Sequence, residues 1–312
     1  MSSLNNKWYS NGKLLITGEY LVMYGAKALA IPLNKGQSFE ISPIKCHEIV
    51  WTAYTPNGIW FRAIIELNGF KVIQTNNKTL AKNLVEVLKA LNLMSGVFKH
   101  NGFNIVTKLD FNPEFGFGTS STLISNLASW ADVDPYELLD KTFGGSGYDI
   151  ACARNKYPIK YQLKDDNRFI ENVDFNPSFS DNLYFVYLGK KQNSADSIKH
   201  FNKKMNFRDA DIEDISQITN KIILCEKQTE FDDLLTDHEE VMSRILEIPK
   251  IETKCFEGLP FKVKSLGAWG GDFVLLSSND SYAETLKAIY GAGYTEVFRY
   301  DDLIINSFYK LD

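Results

Sequence analysis

"FNPEFGFGTSSTL", residues 111–123, is the stretch on which the rest of the sequence turns. Pro113, Gly116 and Gly118 break the backbone, three hydroxyl residues follow (Thr119, Ser120, Ser121), and the apolar Leu123 comes next. Upstream, "FNIVTKL" (103–109) is strand-like; downstream, "SSTLISNLASWA" has the pattern of a helix. The order is therefore strand, glycine-rich turn, hydroxyl cluster, helix. Such a turn aims several backbone N–H groups one way, and the helix dipole adds partial positive charge there, which suits a phosphate. The hydroxyls offer further donors to a phosphate, or a ligand for Mg²⁺. The loop is not a Walker A motif, because GxxxxGK[ST] is absent. A surface turn with Ser or Thr as an ordinary helix cap gives the same local pattern.

Three other stretches carry chemistry-bearing residues. In "GGSGYDIACA" (144–153), Asp149 follows a tight glycine turn, as a general base or charge partner would, or as a cap of the next helix would. "KSLGAWGGD" (264–272) places Gly267, Gly270 and Gly271 between two strand-like runs, either for close approach to a ligand or as a hairpin with a glycine bulge. In "NGKLLITGEYLVMYG" (11–25), Lys13 and Glu19 sit in an apolar, strand-like context. Charges there are paired or functional if buried, since an unpaired buried charge is costly, and unremarkable if they line a solvent-facing edge.

The bulk properties exclude several classes. A chain of 312 residues accommodates two domains with separate cores. With 44% hydrophobic and 23% charged residues it is not disordered. A net charge of −5 gives no pull toward nucleic acid or an anionic membrane, so any bound anion must be held by local groups. Cys46, Cys152, Cys225 and Cys255 form no CxxC pair and the four histidines form no HExxH pattern, which fits reduced thiols in a cytoplasmic protein and argues against a His-based metal centre. The polar N-terminus lacks the apolar core of a signal peptide, and no run reaches the roughly 18 apolar residues of a membrane helix.

Along the chain, residues 13–33 read as two strand-like runs interrupted at Gly18-Glu19 and at Gly25. "EIVWTAYTPNGIWFRAII" is a hairpin turning at Pro56–Gly58. Leu80, Leu84, Val87, Leu88 and Leu91 predict a helix capped by Thr79 and ended at Gly96. After a polar run at 164–182, "LYFVYLG" is a strand and residues 211–246 are helical in character. Residues 261–278 read as strand, glycine turn, strand; "AETLKAIYGAGY" is a helix and "TEVFRYDD" a last strand. The irregular alternation predicts an α+β fold.

Taken in order, these motifs resemble the GHMP family of small-molecule kinases. "NGKLLITGEYLVMYG" is similar to the family's PGK-(hydrophobic)-GEHxVxxG, with Asn11 for Pro and Tyr20 for His. "PEFGFGTSS" is similar to PxxxGLGSS, with Phe117 for Leu and Thr119 for Ser. "KSLGAWGGD" is similar to KxxGAGGG, with Trp269 for a glycine. The resemblance spans residues 11–276, and "GSGYDIA" together with Asp272 looks most like the phosphomevalonate and mevalonate kinase branch.

The resemblance implies a two-domain α+β fold: an N-terminal ribosomal-protein-S5-like domain (1–178) and a C-terminal ferredoxin-like domain (179–312). It implies ATP and Mg²⁺, a mevalonate- or phosphomevalonate-like acceptor, and no nucleic-acid or membrane partner. Gly116, Phe117, Gly118, Thr119, Ser120 and Ser121 would bind ATP. Asp149 would orient or deprotonate the acceptor oxygen, and Lys13 would neutralise charge at the transferred phosphoryl. Gly267, Ala268, Gly270 and Gly271 would close on phosphates or acceptor, and Glu19 and Gly147 would face the substrate. Ser120 and Glu137 would hold the metal, although neither Glu137 nor Asp140 on "DPYELLDKTF" is in clean register for the family's glutamate. A sugar or amino-alcohol kinase, a diphosphomevalonate decarboxylase, and a silent nucleotide- or metabolite-binding relative stand as the alternatives.

Overall fold

The computed structural model describes residues 6–99, 101–189, 201–203, 206–267, 269 and 272–305. Strand β1 (Lys7–Leu15) leads not into a second strand but into a 3-10 turn at Leu21–Tyr24. The reason lies in the glycines: Gly18 and Gly25 take φ of 88° and 98°, so the chain turns where the apolar run alone reads as extended. Strand β2 (Ala28–Ile44) follows, then β3 (Glu48–Thr55) and β4 (Gly58–Glu66), the hairpin that Pro56-Asn57 turns, and β5 (Lys71–Thr75).

Helix α1 (Lys78–Ser95) is capped two residues before the expected position. Asn77, not Thr79, accepts the Leu80 N–H, and Gly96 closes the helix at φ 68°. Its Leu84, Val87, Leu88 and Leu91 are buried, each worth about 1.5–3 kcal/mol of transfer free energy. Next come β6 (Gly102–Leu109), α2 (Thr119–Ala131), α3 (Pro135–Asp140), α4 (Tyr148–Ala153), β7 (Ile159–Lys164), β8 (Asn167–Asn172) and β9 (Leu183–Tyr187). The predicted 211–246 helix is two helices, α5 (Asp209–Leu224) and α6 (Gln228–Leu246). The remaining elements are α7 (Ile251–Cys255), β10 (Phe261–Ser265), β11 (Phe273–Ser278), α8 (Tyr282–Gly291), β12 (Val297–Arg299) and α9 (Tyr300–Leu303). The expected last strand is thus only three residues long, and its "YDD" end is helical.

The fold is α+β and its residues gather into two compact units. The first takes the residues up to Gly12, Lys35–Pro113 and Phe117–Arg154; the second takes Lys13–Asn34, Glu114–Gly116 and Asn155 onward. In the first, strands run in the order β5-β4-β3-β6-β2, with β3 and β6 parallel and the other pairs antiparallel. Phe39, Trp51 and Ile105 from these strands share one apolar core with Leu88 of α1 and Ile124 of α2. In the second unit the opening residues of β2 pair with β7, and β7 with β8. A separate antiparallel sheet there runs β10-β11-β9-β12, packed around Val186, Phe261, Val274 and Leu276.

Candidate active site

The glycine-rich turn ends at Gly118, which is the N-cap of α2 at φ 97° and supplies no side-chain cap. Neither Ser nor Thr plays that part, so the ordinary cap reading does not apply. The three hydroxyls separate in role. Ser121 Oγ donates to the Gly118 carbonyl at 3.0 Å, while Ser120 is exposed. Thr119 Oγ1 is buried and has no hydrogen-bond partner. A buried hydroxyl without a partner costs about 1–3 kcal/mol, and this one lies in the first turn of an uncapped helix, where an anion oxygen would satisfy it.

The helix is held rigidly from behind. Ser10 Oγ lies 2.8 Å from Ser125 Oγ and 2.9 Å from Asn126 Oδ1, and the Asn126 amide donates to the Gln37 carbonyl at 3.0 Å. Thr122 Oγ1 reaches Gln37 Oε1 at 3.1 Å. This buried polar seam ties α2 to β1 and β2 within the first unit. Phe117 is buried against Phe111, ring centres 5.5 Å apart, so the turn is pinned on that side as well.

Helix α4 packs against α2 and carries Asp149 in its first turn. Gly144, Gly145 and Gly147 all take positive φ, and Gly147 rather than Asp149 is the cap. Asp149 is half-buried, with Oδ1 3.0 Å from the Ile150 N–H. Glu137 is exposed on α3, where it pairs with Lys141 at 3.4 Å. An exposed pair of this spacing is worth only about 0.3–0.5 kcal/mol, too little to keep the carboxylate from a cation. Among the described residues no three His, Cys, Asp or Glu side chains cluster as a ready-made metal site.

The other candidates belong to the second unit. Lys13 is half-buried near the end of β1. Gly116 and Gly267, at φ 68° and 70°, both abut the Asp272 carboxylate: a Cβ on Gly116 would lie 3.3 Å from its carbon, and one on Gly267 3.0 Å from Oδ2. Phe115, just before Gly116, packs edge-on against Tyr187 and Phe273. Ala268, Gly270 and Gly271 lie outside the described residues. Trp269 is buried and its indole N–H has no partner.

Glu19 is not on a solvent-facing edge. It is fully buried, and its Oε1 receives Lys264 Nζ at 2.5 Å. Beside it stand His238 and Glu239 of α6, also buried. His238 Nε2 accepts the Gly18 N–H at 3.2 Å, and burial next to Lys264 keeps the ring neutral, so its 3.3 Å approach to Glu19 Oε2 is not an ion pair. Glu239 accepts the Ser265 N–H at 2.9 Å, and burial pushes its carboxyl up to about 7 against the pull of Lys264. Sequence reasoning assigned no role to Lys264, His238, Glu239 or Asp272. Lys264 and Asp272 bound a recognised motif; nothing in the spacing of "TDHEEVM" marks His238 and Glu239.

No family model and no curated protein sequence matches this chain. Solved structures do. The mevalonate kinase of Methanococcus jannaschii superposes with a TM-score of 0.71 at 19% identity, over 96% of this chain and 98% of that one. Streptococcus pneumoniae phosphomevalonate kinase, in complex with phosphomevalonate and AMPPNP, gives 0.68 at 16%, over 94% and 99%. Lactococcus lactis galactokinase complexed with galactose gives 0.64 at 12%, over 94% and 92%. The expected α+β architecture, with a large mixed sheet and a second small one, is thereby matched over nearly the whole length: the chain has the two-domain fold of the GHMP kinases.

Proposed function

We propose that the chain is an ATP-dependent small-molecule kinase whose acceptor is mevalonate or phosphomevalonate. The observation that carries the reading is the first turn of α2, uncapped at Gly118 and holding a buried, partnerless Thr119 hydroxyl, with Asp149 on the helix packed beside it. A polyphosphate fits that donor set. The likeness to the three kinases supports the reaction class, and the GSGYDIA segment supports the branch.

In this reading the N–H groups and hydroxyls from Gly116 to Ser121 hold the ATP phosphates. Asp149 accepts the proton of the acceptor hydroxyl as its oxygen forms a bond to the γ-phosphorus, and the bond from that phosphorus to the bridging oxygen of ADP breaks. Lys13 supplies positive charge to the phosphoryl in transit, since such transfer is mostly positioning and charge stabilisation. Ser120 and Glu137 are the residues assigned to Mg²⁺, which when bound would offset phosphate charge. Gly147 frees the backbone beside the acceptor. The domains 1–178 and 179–312 are part of this proposal.

The test is the identity of the product. Incubation with Mg-ATP and each of mevalonate, phosphomevalonate, diphosphomevalonate, galactose and homoserine, followed by phosphorus NMR, is expected to show a new phosphorylated species with one of the first two. A product only from galactose or homoserine would overturn the acceptor assignment.

A further inference from the structure

Glu19 and Lys264 belong to the two motifs that flank the proposed site in sequence, yet neither side chain reaches solvent. Each is fixed by a consecutive pair on α6. His238 takes the amide of Gly18, the residue before Glu19. Glu239 takes the amide of Ser265, the residue after Lys264, and lies 3.5 Å from the Ile251 amide. Lys264 Nζ closes the circuit by donating to Glu19 and to the Ser265 carbonyl at 2.9 Å. Adjacent helical residues point about 100° apart, so one turn of α6 can hold two separate chain segments at a fixed spacing.

At the start of the late turn the Leu266 N–H donates to the Phe273 carbonyl at 2.9 Å. Ser265 Oγ and the Trp269 indole N–H are buried without partners. Four buried titratable groups are not an economical source of stability either, because a buried ion pair does no better than a well-packed apolar pair. What the arrangement does provide is position: it settles where Leu266 and Gly267 begin the glycine turn.

We propose that His238 and Glu239 are positioning residues for Leu266-Gly267, where the late glycine turn begins, acting through Gly18-Glu19 and Lys264-Ser265. The inference rests on the kinase reading and adds to it two residues outside every recognised motif.

The experiment compares His238→Leu and Glu239→Leu with His238→Gln, whose Oε1 can replace Nε2 as acceptor, and Glu239→Gln, which keeps one acceptor oxygen. Steady-state kinetics are run well below each melting temperature, alongside hydrogen exchange of the 261–276 peptide. The leucine variants are expected to lose kcat about tenfold to a hundredfold, the scale of a displaced catalytic loop. KM for ATP should move less than about threefold, the sign of an interaction used in the transition state. Exchange should quicken in 261–276 and not in the α2 peptide, and His238→Gln should restore most of kcat. If the leucine variants do not fold, the glutamine pair decides, with Glu239→Gln slower than His238→Gln. Wild-type turnover that all four variants retain would overturn this inference alone. A wild-type chain inert with every acceptor would overturn the kinase reading and this inference with it.

Discussion

Lys264 Nζ lies 2.5 Å from Glu19 Oε1, and both side chains are closed off from solvent. Removing one partner strands the other, so Lys264→Met should destabilise the chain by about 3–5 kcal/mol. The double variant Glu19→Leu/Lys264→Met, which removes both halves of the pair, should recover most of that loss. Urea unfolding of both variants measures the difference; equal losses would show that the pair is not the source.

Glu239 gives a pH dependence of definite sign. Its folded carboxyl holds a proton up to about pH 7, well above the usual value of 4.5, chiefly because it is buried. The folded state therefore binds more protons than the unfolded chain across that interval. The stability contribution is complete below pH 4.5 and is lost as pH rises through 7, by up to about 3 kcal/mol. Melting curves from pH 5 to 8 should show a steeper decline in the wild type than in Glu239→Gln, where burial of Glu19 and Asp232 leaves a smaller one.

Asp211 behaves in the opposite sense. Its burial raises the carboxyl pKa, but hydrogen bonds from Arg244, at 2.6 Å, and Arg208, at 3.0 Å, outweigh this and hold it well below the usual range. Its contribution is present above pH 3.8 and fades as acid protonates it. Asp211→Asn should cost about 1.5–2 kcal/mol at neutral pH, toward the lower end for such bonds because both arginines left behind reach solvent. Urea unfolding should show the gap between the two proteins narrowing as the pH falls below 3.8.

Gly267→Ala meets two obstacles, a φ of 70° and the Asp272 oxygen at 3.0 Å. Gly144→Ala meets only the first, since at φ 65° nothing lies within 4 Å of an added Cβ. The backbone strain is about 1 kcal/mol in either case, so Gly144→Ala should cost that much and Gly267→Ala distinctly more. Thermal unfolding of the two single variants separates strain from contact.

Thr119→Val should trade binding for stability. It removes a buried hydroxyl that has no partner, so the ligand-free chain should gain about 1 kcal/mol. The same change deletes a donor to phosphate, and ATP binding by calorimetry should weaken about tenfold or more. A valine variant that binds ATP as well as the wild type would place the phosphates elsewhere.

What the sequence disclosed follows from the range over which each interaction acts. The strand–turn–helix around Gly118 is a local matter of glycine dihedrals and apolar period, and 111–131 was readable from it. The turn at Leu21–Tyr24 was missed because its apolar residues are consistent with strand; the left-handed φ of Gly18 and Gly25 settles the matter, and a glycine's φ cannot be read from its letter. The role of Lys264 was hidden for a different reason. Its partner lies 245 residues away, and one charged side chain in "FKVKS" looks much like the next until tertiary packing buries Lys264 and exposes Lys262. His238 and Glu239 sit on an amphipathic helix among many acidic residues, where only the fold distinguishes them.

In the proposed phosphoryl transfer Asp149 is the proton acceptor. The most direct test is the rate of ADP release from Mg-ATP with mevalonate or phosphomevalonate, wild type against Asp149→Asn, with ATP binding measured for both. Wild-type turnover is expected to fall by about 10²–10⁴ in the variant while ATP binding persists. Turnover by Asp149→Asn at the wild-type rate, or a wild type that binds ATP and releases no ADP with either acceptor, would contradict it.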